Sequence, residues 1–151
     1  MKDETEPLSR RDAMVVLASA PGDVLERLWR ESGLPDEGTA LRGPETGLVA
    51  LRGRIGGGGA PFNFGEATVT RASVKLPTGE VGHAYSLGRE REKARISATL
   101  DALRQRTEFA PDVNAKILLP LRQSSHETDE QRRAETAATR VDFFTMTRGE
   151  D

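Results

Sequence analysis

Four consecutive glycines, Gly56 to Gly59, interrupt the stretch RGRIGGGGAPFNFGEATVTR at residues 52–71, with strand-like sequence on both sides and arginines at both ends. Such a run disfavours both helix and strand, so the chain is expected to turn or loop there. A phosphate-binding loop of the Walker type needs a lysine and a hydroxyl residue after the glycines, opening a helix. Here the continuation is APFNFGEATV, without lysine and rich in strand formers. The dinucleotide fingerprint fails for the same reason, because it requires strand, glycines and helix in a parallel unit. The run is therefore read as a connection between two strands.

The arginines keep an anion-binding role in view. Side chains alternate along a strand, so Arg52 and Arg54 share a face, as do Arg71 and Lys75 on the next strand. Were the two faces to coincide, guanidinium groups would lie beside the uncovered amides of Gly56, Gly57 and Gly58, a combination suited to a triphosphate or similar anion. The bland alternative is a solvated face, or pairing with Glu45, Glu66 and acids on a partner. Charge distribution agrees with either: Arg42 to Arg95 holds nine basic and five acidic residues, net +4, while the whole chain of 151 residues is −2. The remainder is thus −6, so an anionic partner meets the middle of the chain first.

Around this centre the sequence reads helix, strands, helix. Ser9 and Asp12 form a helix-start signature for Ser9 to Ala20. Asp23 is expected to cap a second helix with Val24, Leu25, Leu28 and Trp29 on its inner side, ended by Gly33 and Pro35. TALRG and GLVALRGRI read as two strands separated by the turn PET; GEATVTRASVKL and VGHAYSLG form a hairpin across PTGE. A charged helix follows in GREREKARISATLDALRQRTEFA, with Ala94, Ala98, Leu100 and Leu103 inward and Pro111 as its stop. A last, very polar helix covers about Arg122 to Thr139, and the chain ends in RVDFFTMTRGED. The expected fold is one α+β domain: an antiparallel sheet of about four strands, two N-terminal helices, a helix after the sheet, and a C-terminal helix with an apolar tail. Residues 1–8 are expected to be a flexible lead, and residues 122–151 to dock on a partner.

No self-sufficient catalytic set emerges. There is no cysteine, which rules out disulfides, thiolate metal sites and a cysteine nucleophile. His83 and His126 are far apart and lack companions at ligand spacing. Ser73, Ser86, Ser124 and Ser125 have no nucleophile-elbow context, and Asp101 and Glu108 read as helix-surface charges. The apolar run Ala13 to Ala20 is too short to span a bilayer. The expectation is a cytoplasmic protein with no metal, no membrane partner and no nucleic-acid partner.

Four segments, ETGLVALRGRIGGGG, FNFGEATVTRASVKL, GHAYSLGRE and the terminal RVDFFTMTRGED, resemble the G subunit of the bacterial carbon-phosphorus lyase core complex, the PhnG family. The resemblance spans about Leu41 to Arg89 and resumes at the C-terminus. Where the family often carries a His-Ala-Glu stretch, this chain has Lys93, Ala94 and Arg95, so a role of that His or Glu does not carry over. The resemblance implies assembly with the H, I and J subunits, two copies of each, the I subunit being the most direct partner. It implies support for making α-D-ribose 1-methylphosphonate 5-triphosphate from ATP and methylphosphonate with release of adenine, those two being substrates of the complex, with no cofactor and no catalytic residue in this chain. Apolar residues crowded at the tail fit this picture: Val141, Asp142, Phe143, Phe144 and Met146 are expected at a subunit interface. Arg52, Arg54, Arg71 and Arg89 are expected to face phosphates or acidic partner surfaces. The competing expectation is a stand-alone anion-binding or scaffolding protein without enzyme activity.

Overall fold

A computed structural model describes residues 8–54 and 58–138. Helix α1 (Arg10–Ser19) starts where the sequence places it: Ser9 Oγ accepts from the Asp12 amide at 3.1 Å, satisfying a first-turn donor. Helix α2 (Gly22–Ser32) follows after two residues, Ala20 and Pro21. Asp23 is not its cap. Pro21 takes that position, its carbonyl accepting from Leu25 N at 3.0 Å, and Asp23 lies inside the first turn without a capping bond. Proline suits a helix start because its fixed φ is already close to helical and no amide is lost. Gly33, at φ 67°, closes the helix in the left-handed conformation that favours glycine.

Three strands form one antiparallel sheet in the order β1 (Thr39–Gly53), β2 (Phe62–Lys75) and β3 (Val81–Leu87). The expected fourth strand is absent among the described residues because the two segments flanking PET are one strand. Arg42 pairs with Ser73 and Glu45 with Arg71, so Gly43 and Pro44 together oppose a single residue of β2. Pro44, lacking an amide, is accommodated in this bulge on a sheet edge, where no neighbouring strand requires its donor. The glycine run lies between the paired ends Gly53 and Phe62, as a strand connection; Gly56 and Gly57 fall outside the described residues. Across PTGE, Gly79 at φ 108° donates to Leu76 O at 2.9 Å and completes the β2–β3 turn.

Helix α3 (Arg91–Leu103) crosses one face of the sheet and is buried along nearly its whole length. Small residues set the approach: Ala94 and Ala98 pack on Ala72, Val74 and Ala84. The other side of α3 joins the main core, where Ile96, Leu100 and Leu103 meet Leu17, Leu25 and Trp29 of the N-terminal helices. α3 ends at Leu103, not at Pro111. Pro111 instead occupies the first turn of α4 (Ala110–Val113), which runs through a π-helical stretch (Asn114–Leu118) into α5 (Leu119–Ala138) as one continuous helix. This helix therefore begins well before the expected Arg122. In the π-helical stretch Leu119 N donates to Asn114 O, five residues back, directly before Pro120, which has no amide to give. The wider turn keeps Val113, Ile117, Leu118 and Leu121 all inside the core.

Candidate functional site

The sheet register decides which of the predicted cations meet. From Glu45 to Leu51 the β1–β2 ladder is unbroken, so Glu45, Gly47, Val49 and Leu51 face one way and Thr46, Leu48, Ala50 and Arg52 the other. Arg71 and Lys75 belong to the first face, opposite Glu45 and alongside Tyr85 and His83 of β3. Arg52 lies on the alternate face. The two basic pairs therefore do not coincide. Arg54 follows the end of β1 and, like Gly58, is exposed in the connection.

On the open face Arg71 is already partnered. Its Nε and Nη2 lie 3.3 and 3.2 Å from Glu45 Oε2, and Arg42 Nη1 reaches the same oxygen at 3.2 Å. All three side chains are about half exposed, so this cluster contributes little stability but lowers the local positive charge. Nearby, Ser73 Oγ and His83 Nδ1 are 2.9 Å apart on the exposed surface.

The helix-side face holds the better cationic candidate. Thr70 Oγ1 donates to Gly88 O at 2.7 Å, and Gly88 N donates to Thr68 O at 2.9 Å, with Gly88 at φ 91°. Having used its proton on Gly88, the Thr70 hydroxyl accepts from Thr46 Oγ1 at 3.0 Å. This framework fixes the chain where it leaves β3 and delivers Arg89 to the mouth of an open cleft of about 430 Å³, lined by Thr46, Gly47, Leu48, Thr68, Arg89 and Arg91. Neither Arg89 nor Arg91 has a carboxylate partner among the described residues. The intervening Glu90 is engaged elsewhere: its carboxylate packs where a Cβ on Gly22 would lie and sits 3.6 Å from Lys93 Nζ. Arg91 was not among the sequence candidates, although its position two residues from Arg89 is the signal that could have included it.

Asp101 departs furthest from expectation. Read as a surface charge, it is 2% exposed and accepts from Arg10 Nε at 2.9 Å, Arg10 Nη2 at 2.7 Å and the His83 amide at 2.9 Å. The carboxylate in turn raises the Arg10 pKa above its ordinary value, chiefly through the hydrogen bond. Its spacing from Ala94 and Ala98, on the inner side of α3, is the clue the sequence held. The two residues that depart from the family pattern have structural roles: Lys93 donates to Ala18 O at 2.9 Å and Arg95 pairs with Glu92 and Asp36, while Ala94 between them is buried.

Two parts of the chain extend beyond the packed body. β3 pairs with β2 only from Val69 onward, so residues 48–53 and 62–68 form a two-stranded ribbon. It exposes Leu48 (64%) and Phe64 (59%), with Phe62 and Leu51 partly exposed and the Phe62 and Phe64 rings edge to face at 6.2 Å. From Ser125 to Ala138, α5 has no buried residue. A ribbon of two strands and a polar helix gain little stability alone in water. Val141, Asp142, Phe143, Phe144 and Met146, expected at an interface, lie outside the described residues. Among the described residues no helix is long and apolar enough to cross a membrane.

Among the described residues the chain is thus a small α+β protein with an exposed two-stranded ribbon, a last helix that buries nothing beyond Leu121, and a cationic cleft. Comparison with known proteins gives the family. The family model described as phosphonate metabolism protein PhnG matches residues 8–149. The chain is also 49% identical over 150 residues to the alpha-D-ribose 1-methylphosphonate 5-triphosphate synthase subunit PhnG of Rhizobium meliloti (strain 1021), covering 99% of this chain and 95% of that protein. The chain belongs to the PhnG family of phosphonate metabolism proteins.

Proposed function

We propose that this protein is an accessory subunit of an α-D-ribose 1-methylphosphonate 5-triphosphate synthase, acting in the cytoplasm on ATP and methylphosphonate within an assembly of G, H, I and J subunits, two copies of each. The name of the Rhizobium relative supports the subunit role. The observation that carries the reading is the ribbon, on which Leu48, Leu51, Phe62 and Phe64 are exposed among the described residues. Co-expression with the H, I and J subunits should return a stoichiometric assembly. Recovery of the chain alone, soluble and uncomplexed, would favour the stand-alone anion binder. Truncation after Thr139, which removes Val141, Phe143, Phe144 and Met146, is expected to leave a folded domain that no longer co-purifies with the I subunit; unchanged co-purification would refute the tail as anchor.

Among the cations proposed to face phosphates, Arg89 is the best placed, with Arg91 beside it. A charge-assisted hydrogen bond contributes about 1.5–3 kcal/mol, so losing one such bond should lower turnover of the assembled complex by about 10- to 100-fold, and replacing both arginines with glutamine should lower it by at least that much. Assembly should persist. Loss of assembly would instead assign the pair to an interface, and unchanged turnover and assembly would end the role. Arg52, Arg54 and Arg71 serve as comparison positions, and Arg71, tied to Glu45, is expected to matter least.

A further inference from the structure

We infer that the junction of α1, β3 and α3 contains a built site for one ordered water molecule, bridging Ser86 and Ser97. Both serines are 95% buried, at 5% exposure each. Neither hydroxyl has a hydrogen-bond partner among the described residues. They line the same small cavity, about 20 Å³ in volume, walled on the apolar side by Met14 and Leu17 of α1. That volume admits one water and excludes a larger ligand.

The chemistry selects water. Buried hydroxyls are almost always hydrogen-bonded, because leaving one without a partner forfeits its solvation. Each serine offers one donor and two acceptor sites, so a water between them completes both without any ionic charge. No ionic ligand is required. The neighbouring buried charges are already engaged, Lys93 with Ala18 O at 2.9 Å and Asp101 with Arg10 and the His83 amide. Ser86 lies on β3 opposite Thr70, and Ser97 lies on α3, so the bridge would join sheet to helix beneath α1.

Two measurements on the full chain test this. A high-resolution crystal structure should show a density peak about 2.8 Å from both Oγ atoms. Density absent there, or a Ser97 hydroxyl turned onto the Lys93 carbonyl one helical turn back, overturns the inference. Thermal unfolding of Ser86→Ala, Ser97→Ala and the double variant gives an independent reading. With a bridging water, each single change should lower the midpoint by about 2–6 °C, and the double variant should fall no further than the worse single one. At a dry site the signs reverse, since removing an unpartnered hydroxyl relieves a cost and raises the midpoint. Two additive losses would also overturn the bridge, because they mean separate partners for the two serines.

Discussion

Replacing Asp101 with alanine is expected to cost about 3 kcal/mol of folding stability, read as a fall of about 6–12 °C in the unfolding midpoint. The change removes the acceptor of two Arg10 hydrogen bonds and strands the His83 amide at the sheet edge. Because Arg10 is half exposed, water can solvate it afterwards, so most of the loss comes from the buried amide and from the space left under α1. Asp101→Asn, which keeps the volume and one acceptor oxygen, should lose about half as much. Equal midpoints for the parent and both variants would show that the carboxylate does not hold α1 to α3.

Gly82→Ala should be more damaging still. A Cβ at this position would lie 1.9 Å from Ala98 O and 2.4 Å from Ala102 N, both backbone atoms of α3. Neither can rotate aside, so the helix must lift from the sheet and open the contact that Ala94 and Ala98 make with Ala72, Val74 and Ala84. A loss above about 4 kcal/mol or failure to accumulate as soluble protein is expected. Gly65→Ala is the matched control, since a Cβ there meets nothing within 4 Å; it should leave stability near that of the parent. If the two variants behave alike, α3 does not pack on β3 as described.

What the sequence revealed and concealed follows from the range of the interactions involved. The Ser9 cap, the Gly33 stop and the PTGE hairpin depend on neighbours within a few residues, and all three stand where the local chemistry puts them. Prolines misled. Pro111 and Pro44 each read as a boundary, yet one opens a helix and the other lies in a bulge, because what proline forbids is a needed amide and neither position needs one. Pro120 is tolerated through the π-helical turn before it, an adjustment that periodicity alone does not announce. The arginine pattern was legible residue by residue. Its faces were not, since they depend on the pairing of β1 with β2, which sets Arg52 on one side and Arg71 on the other. Asp101 was missed because a charged side chain on a charged helix looks solvated until its partner, 91 residues away, is known.

That same separation has a consequence for the order in which the molecule assembles. The three strands are joined as successive hairpins and α3 follows them directly, so this half of the core grows from segments close in the chain. Docking α1 requires closure of a loop of about ninety residues, an entropic cost that becomes small only after the intervening sheet has condensed. Synthesis and folding therefore run in opposite order at the amino end. Made before the sheet, α1 must wait for the residues of α3, nearly the whole sheet later, before it has that surface to close upon.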